Sequence, residues 1–179
     1  MSVKTSPGRE KFLDALAPAP SERILDVGAG RGDVAEMVRQ ASHGAEVYAV
    51  DPNEKRVAAM KRDHPEVKGS VASAESLPFT DGYFDRAYAT LALHHFSELD
   101  RALGELRRVL KLGGYFVVVE VEPHSWEGRL FRFFGRVMGE HMNIMSHGEL
   151  EAKLGAVEGL SVLTTVSLGQ TFLIRTRRS

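Results

Sequence analysis

Three closely spaced glycines follow the first aliphatic run of the chain, in the segment Ile24-Leu25-Asp26-Val27-Gly28-Ala29-Gly30-Arg31-Gly32. Glycine permits a tight turn and lets a ligand approach the backbone, and a helix that begins there offers unpaired N–H donors. A nicotinamide-dinucleotide fingerprint needs two residues between its second and third glycines. Only Arg31 stands between them here, so the segment predicts a loop for a nucleotide-like ligand other than a pyrophosphate.

Asp51 follows a β-prone run, Ala45–Val50, and opens the turn Asp51-Pro52-Asn53. A carboxylate at the carboxyl end of a parallel strand can accept hydrogen bonds from both hydroxyls of a ribose. Aspartate is also common in turns and at helix N-termini for purely local reasons. We therefore take Asp51 to indicate an adenosine-type ligand only because it accompanies the glycine loop.

The elements that must position these residues alternate between strand and helix patterns. The predicted strands are Arg23–Val27, Ala45–Val50, Val67–Ala72, Phe84–Thr90, Tyr115–Val121, Leu160–Ser167 and Thr171–Thr176. Parallel neighbours need crossover helices, whereas only a Leu168-Gly169 turn separates the last two strands. We expect an α/β fold, a Rossmann-like doubly wound, seven-stranded, mostly parallel sheet with a C-terminal antiparallel hairpin.

Local signals also predict where the later helices begin and end. Ser97 with Asp100 three residues on, and Ser146 with Glu149, each match a capping box at a helix N-terminus. Gly113-Gly114 is expected to end the helix that Ser97 begins.

The composition fits one globular domain with almost no net charge. The chain has 179 residues, 43% of them hydrophobic, and 23 basic against 24 acidic residues give a net charge of −1. This balance disfavours attraction to nucleic acid or to an anionic bilayer. The absence of cysteine excludes thiolate chemistry and fits a cytoplasmic protein. We expect a leader helix within residues 1–22, one domain over residues 23–179, and no transmembrane segment.

The range 123–145 differs from the rest in composition and lies where an insertion would fall. Aromatic and methionine side chains there could form a lid that encloses an apolar acceptor and excludes water. The candidate acceptor contacts in it are Trp126, Phe134 and Met138. The segment could equally be an amphipathic helix packed on its own sheet. With Arg129, Arg132 and Arg136 opposite the apolar face it could also rest on a membrane surface, the least favoured of the three alternatives.

Five blocks of the sequence, taken in order, resemble the class I S-adenosylmethionine-dependent methyltransferases, particularly the branch of small-molecule and quinone-biosynthesis enzymes. The blocks are Leu25–Gly32, Val50–Pro52, Ala74–Phe79, Phe84-Asp85 with Leu93–Phe96, and Leu106–Gly114. The resemblance extends from Ile24 to Thr176. It implies S-adenosylmethionine as the cofactor and a small, partly apolar molecule as the methyl acceptor.

The resemblance also implies which residues bind the cofactor. Asp26 and the glycine loop would lie against its methionine part, and the backbone around Thr90 would meet the amino group. Asp51 would hold the ribose, and the Ala74 N–H would meet the adenine edge. The cofactor-binding residues implied are Asp26, Gly28, Ala29, Gly30, Gly32, Asp51, Pro52, Ser73, Ala74, Glu75 and Thr90. Ser73 departs from the family, which usually has an aspartate there, and a hydroxyl is a weaker acceptor than a carboxylate.

The chemistry asks little of side chains, because a sulfonium already activates its methyl group and the acceptor mainly needs to be positioned and desolvated. A hydroxyl or carbon-acid acceptor also needs a base, and the histidines available are His94, His95, His124, His141 and His147. We take His94, His95 and His141 as the catalytic candidates and His95 also as an acceptor contact. A packed, hydrogen-bonded loop histidine is an equally good interpretation of His94 and His95. No metal site is expected.

Two other functions fit parts of the pattern. A nucleotide-cofactor oxidoreductase would share the fold, but the glycine spacing and the closing hairpin disfavour it. A methyltransferase-like partner or activator without catalysis would tolerate Ser73. No Asn-Pro-Pro-aromatic block follows the fourth predicted strand, which further disfavours a nucleic-acid substrate, and no pattern indicates an oligomeric state.

Overall fold

A computed structural model describes residues 7–126, 128 and 144–179. The helices are α1 (Pro7–Leu16), α2 (Asp33–Ala41), α3 (Glu54–Asp63), α4 (Leu99–Val109) and α5 (His147–Ala156), with a 3₁₀ turn at Leu93–His95. The strands are β1 (Arg23–Val27), β2 (Glu46–Asp51), β3 (Lys68–Val71), β4 (Phe84–Thr90), β5 (Leu110–Val121), β6 (Leu160–Ser167) and β7 (Thr171–Arg178). Among these residues no helix has the length and apolar character required to cross a membrane.

The strands form one seven-stranded sheet in the order β3-β2-β1-β4-β5-β7-β6. The first five strands are parallel, and β7 is antiparallel to both of its neighbours. This confirms the fold expected from the sequence, including the closing hairpin. The strand order reverses between β1 and β4, so the loops after these two strands diverge to opposite sides and leave a crevice at the carboxyl edge.

Helices cover both faces of the sheet and bury two apolar clusters. On one face α1 and α2 pack on the sheet together with Met60 of α3, and the Phe12 ring of α1 lies 5.3 Å from the Tyr88 ring of β4. On the other face α4 and α5 pack on the same strands. Adjacent residues of β1 point to opposite faces, with Ile24 in the first cluster and Leu25 in the second. Burial on both faces explains why the central strands are almost continuously apolar.

The expectation that Gly113-Gly114 ends the fourth helix is wrong. Helix α4 ends at Val109, and β5 begins directly at Leu110. Leu110 pairs with Phe84, but the register then shifts so that Tyr115 lies opposite Arg86. The glycines therefore lie in an irregular part of β5. A side chain at Gly114 would place its Cβ 2.9 Å from the carbonyl oxygens of Asp85 and Lys111, so the bulge itself requires glycine.

One predicted capping box is present and the other is not. The Ser146 hydroxyl accepts a hydrogen bond from the Glu149 N–H, and the Glu149 carboxylate accepts one from the Ser146 N–H at 2.8 Å. The expectation for Ser97 is wrong, because Glu98 is the N-cap of α4 and no cap side chain bonds to the helix. Ser97 donates instead to the carboxylate of Glu75, on another loop.

The crowding at Gly114 predicts that a Gly114→Ala substitution lowers the free energy of unfolding by about 1–3 kcal/mol, since the added methyl group meets two backbone oxygens that cannot move freely. Gly104→Ala is the matched control. It lies on the exposed surface of α4 with nothing near its Cβ position, and alanine there should stabilise the helix by about 0.5–1 kcal/mol. Urea denaturation of the wild type and the two variants measures both changes in the free energy of unfolding. Equal stabilities for the two variants would contradict the assigned bulge.

Candidate active site

A cavity of about 870 Å³ opens at the carboxyl ends of β1, β2 and β4, where the strand order reverses. Nine of the residues that the resemblance implies for the cofactor line it, together with His95. These nine are Gly28, Ala29, Gly30, Asp51, Pro52, Ser73, Ala74, Glu75 and Thr90. The fold therefore brings most of the sequence-predicted site together around one space.

The glycine loop is tied to the end of β2. The N–H groups of Gly28 and Ala29 both donate to the Val50 carbonyl, at 2.9 and 3.0 Å. Gly28, Gly30 and Gly32 all have positive φ, from +57° to +83°, a conformation that favours glycine. Gly32 does not line the cavity. It precedes α2 as its N-cap, and a Cβ there would lie 2.5 Å from the side chain of Met60, so it permits close packing of α2 and α3.

The Asp51 carboxylate joins the glycine loop to the turn after β2. One oxygen accepts from the Gly30 N–H and the other from the Asn53 N–H, both at 2.9 Å. Asp51 can therefore hold the turn and also accept from a ribose, because each carboxylate oxygen has a second lone pair. The Arg56 guanidinium lies 3.7 Å from the same carboxylate and also lines the cavity. Sequence reasoning missed Arg56, since nothing distinguishes it from other surface arginines.

Glu75 connects the loop after β3 to the N-terminus of α4. One of its carboxylate oxygens accepts from the Ser97 N–H, the Ser97 hydroxyl and the Glu98 N–H at 2.9, 3.1 and 3.2 Å. The other accepts from the Ser73 hydroxyl. Burial opposes ionisation of Glu75, but the hydrogen bonds from Ser73 and from backbone N–H groups outweigh it and lower its pKa. Glu75 thus holds the two residues that lead into α4, Ser97 and Glu98.

Asp26 lies beneath the glycine loop and is only 1% exposed. Within the described part of the chain, neither of its carboxylate oxygens nor the Tyr88 hydroxyl on the neighbouring strand makes a hydrogen bond of normal geometry. Burial raises the pKa of Asp26 to about 8, with the nearby Tyr88 hydroxyl lowering it and the charge of Asp51 raising it. At neutral pH the protein therefore holds Asp26 mainly as the neutral acid.

The histidine candidates lie in different environments. His95 is exposed and lines the cavity, whereas His94 is buried and its Nδ1 lies 2.8 Å from a Glu120 oxygen. His147 contacts Glu122 outside the cavity, at 3.1 Å. His124 is exposed and does not line it either.

Only the two ends of the predicted lid, range 123–145, are among the described residues. Trp126 is 63% exposed and does not line the cavity. The other candidates in this segment, Phe134, Met138 and His141, and the arginines Arg129, Arg132 and Arg136, lie outside the described residues. The structure also places at the cavity wall three apolar residues that sequence reasoning did not select, Leu91, Ala92 and Phe96.

A parallel sheet with a glycine loop after β1, an acidic residue at the end of β2 and a closing antiparallel hairpin defines a class of α/β domains that bind an adenosine-type cofactor at the carboxyl edge. The comparison with known proteins is more specific. The pattern of the methyltransferase domain family matches residues 25–118, and the chain belongs to this family. The family confirms the resemblance stated from the sequence and the expected cofactor, S-adenosylmethionine.

Individual relatives agree with this assignment. The chain is 41% identical to a demethylmenaquinone methyltransferase from Thermus thermophilus over 120 residues, 64% of this chain and 54% of the relative. It is 34% identical to a ubiquinone/menaquinone biosynthesis C-methyltransferase from Rubrivivax gelatinosus over 69% of this chain and 49% of the relative. The matches therefore span about half the length of these relatives. The crystal structure of a SAM-dependent methyltransferase from Aquifex aeolicus has the same fold, with a TM-score of 0.79, 21% identity, and coverage of 97% of this chain and 94% of that one.

The raised pKa of Asp26 predicts a pH-dependent stability difference. An acid that is harder to ionise in the folded state costs stability as the pH rises from its ordinary pKa of 3.8 to about 8. Relative to the wild type, an Asp26→Asn variant should therefore gain stability across this window, by on the order of 1.4 kcal/mol per pH unit. Urea denaturation of both proteins from pH 5 to pH 8 measures the difference.

The control for this series is Asp81→Asn, because Asp81 is an exposed carboxylate away from the cavity. Its stability difference from the wild type should stay nearly constant over the same range. A difference between Asp26→Asn and wild type that is independent of pH would show that Asp26 is ionised in the folded protein.

Proposed function

We propose that this chain transfers the methyl group of S-adenosylmethionine to a small, partly apolar acceptor. The charge of the cavity carries the proposal. Three carboxylates, those of Asp33, Asp51 and Glu75, line it against the single guanidinium of Arg56, a surplus of two negative charges. A cofactor with a sulfonium, an ammonium and one carboxylate has a net positive charge and suits this surface.

The same charges disfavour a dinucleotide. In dinucleotide-binding domains the pyrophosphate lies at the N-terminus of the first helix. In this chain Asp33 is the first residue of α2, and its side chain lines the cavity. A doubly charged pyrophosphate there would be repelled by the carboxylate, which supports the methyl-donor assignment over the oxidoreductase alternative.

We propose a division of roles around the cofactor. Gly28, Ala29 and Gly30 would pack against the methionine part, and Asp51 would accept from the ribose hydroxyls through its remaining lone pairs. The Ser73 hydroxyl is engaged with Glu75, so we assign the adenine contact on this loop to the Ala74 N–H. In this proposal Ser73 shapes the loop, and the missing aspartate costs little.

The acceptor we propose is the ring of a reduced quinone. The relatives are named for demethylmenaquinone and for ubiquinone and menaquinone biosynthesis. A sulfonium delivers its methyl group to an electron pair, so a ring carbon must be electron-rich, as it is in the dihydroxy form and not in the quinone. Leu91, Ala92 and Phe96 offer an apolar wall for such a ring. The cytoplasmic location expected from the sequence stays a prediction.

Methylation of a ring carbon or a hydroxyl releases a proton, and we assign its uptake to His95. The new bond forms from the electron pair of the acceptor, the pair of the sulfur–methyl bond returns to sulfur, and the acceptor's proton passes to an imidazole nitrogen. Of the six histidines in the described residues, only His95 lines the cavity. A positioned base of this kind contributes about 10²–10⁴-fold to such a step.

The acidic lining of the cavity disfavours the pyrophosphate of NAD, whereas S-adenosylhomocysteine carries no net charge and has the ribose and adenine that Asp51 and Ala74 would bind. We therefore predict that the chain binds S-adenosylhomocysteine and not NAD. Isothermal titration calorimetry with each ligand in the same buffer tests the prediction directly. Binding of NAD without binding of S-adenosylhomocysteine would overturn the proposed function and favour the oxidoreductase alternative.

An Asp51→Asn substitution should weaken S-adenosylhomocysteine binding by about 1.5–3 kcal/mol, because it removes a charge-assisted acceptor and leaves the Gly30 loop less firmly held. This corresponds to roughly a tenfold to hundredfold rise in Kd. Asp81→Asn changes an exposed carboxylate outside the cavity and should leave Kd unchanged. Equal affinities for the two variants would remove Asp51 from the site.

A further inference from the structure

A buried carboxylate–imidazole pair lies directly under the turn that carries His95. Glu120 is on β5, and the residue is 5% exposed, while His94 in the 3₁₀ turn is 2% exposed. One Glu120 oxygen lies 2.8 Å from His94 Nδ1. The other accepts a hydrogen bond from the Leu93 N–H at 2.7 Å. A single side chain therefore holds both the backbone and the ring of the turn.

This pair is not required to build the sheet. Glu120 lies between Val119 and Val121 in a strand whose other inward residues are apolar. Taking a carboxylate out of water is unfavourable unless partners compensate for it, and an apolar residue in such a place is often as stable. A buried carboxylate–imidazole pair beside a cavity is therefore a candidate for a functional role.

The backbone leading into the turn is also unusual. Leu91 has φ +52°, and its N–H donates to the Val119 carbonyl at 2.8 Å. A non-glycine residue is strained in the left-handed region, because its Cβ comes too close to the following carbonyl oxygen. The strain lies between β4 and the turn, and β5 holds this region through the Val119 carbonyl at Leu91 itself and through Glu120 at Leu93 and His94.

What the turn presents to the cavity is His95. The His95 ring packs on the His94 ring with centroids 4.3 Å apart and planes tilted by 47°. Because the Glu120 carboxylate can only accept, it fixes the proton of His94 on Nδ1 and with it the orientation of that ring. Fixing His94 in turn limits the positions that the His95 ring can adopt.

We infer that Glu120 is a positioning residue for acceptor chemistry: through His94 it holds the His95 imidazole at the cavity wall, where His95 takes the proton released as the acceptor is methylated. This inference rests on the proposed function. Neither His94 nor Glu120 touches the acceptor in this scheme. The pair acts on the rate of methyl transfer and leaves the adenosine end of the cavity unaffected.

A Glu120→Gln variant tests the inference. The glutamine carbonyl can still accept from Leu93, but its NH₂ group cannot accept from His94 Nδ1–H, so the ring must change tautomer or turn away. The probe acceptor is a chemically reduced naphthoquinone with a short isoprenoid chain, used with S-adenosylmethionine. We expect kcat to fall at least about tenfold, part of the contribution of a positioned base, with Kd for S-adenosylhomocysteine unchanged.

Glu122→Gln is the matched control, because Glu122 also contacts a histidine Nδ1, that of His147, but lies outside the cavity. It should leave kcat unchanged. His94→Asn is a second test variant in case the first does not fold: its amide can still donate to Glu120, but the ring that supports His95 is gone, and the same fall in kcat is expected.

Nuclear magnetic resonance of ¹⁵N-histidine-labelled protein supplies a readout that needs no acceptor. The wild type should show His94 with its proton on Nδ1, and Glu120→Gln should change that signature and shift the His95 ring resonances. Unmoved His95 resonances, or a wild-type kcat in Glu120→Gln, would overturn the positioning role alone. Failure of the wild type to bind S-adenosylhomocysteine would instead overturn the proposed function.

Discussion

The Asp51 carboxylate connects two loops that form the wall of the cavity. It accepts from Gly30 on one side and from Asn53 on the other, and so links the loop after β1 to the turn after β2. These loops belong to adjacent parallel strands, but nothing in a parallel sheet fixes how the connections beyond its edge are arranged. A charge-assisted bond of this kind is stronger than a neutral one. The positions of the glycine loop and of α3 relative to each other depend on it.

The same device recurs along the whole carboxyl edge. Glu75 connects the loop after β3 to the start of α4, and Glu120 on β5 holds the turn after β4. Each carboxylate accepts at least one backbone N–H from a segment distant in sequence, at 2.7 to 3.2 Å. Loops at the edge of a sheet have few apolar contacts of their own. At this edge the hydrogen bonds of acidic side chains therefore fix the loops, as apolar packing fixes the strands inside the sheet.

The fold could be predicted from the sequence because its signals are local. Alternating runs and turns identified all seven strands, and Phe84–Thr90 and Leu160–Ser167 have the predicted limits. The errors have one cause, a tertiary partner that prevails over a local pattern. Ser97 matches a cap but bonds to Glu75, 22 residues earlier. Gly113-Gly114 resembles a helix end but lies in a strand whose register is set by β4.

The sequence predicts site residues whose type and spacing form a pattern, such as the glycine loop, and misses those that form none. Glycines with positive φ are visible in the sequence, whereas the positive φ of Leu91 is not. Glu120 lies within the most apolar strand and lacks any signal of its own, because its partner His94 is 26 residues away. Which carboxylates line a cavity and which lie beneath it follows only from three-dimensional contacts.

The acids of this edge also show how one functional group takes two protonation states in a single site. Hydrogen bonds from N–H and O–H donors outweigh burial at Glu75 and lower its pKa, whereas at Asp26 burial outweighs the effect of the nearby Tyr88 hydroxyl and raises the pKa. The difference follows from the number of donors facing each carboxylate. Two of the three carboxylates that line the cavity, those of Asp51 and Glu75, are therefore already fixed by backbone N–H donors. A cationic ligand meets charges that need not reorganise, which is the condition under which electrostatic complementarity is most effective.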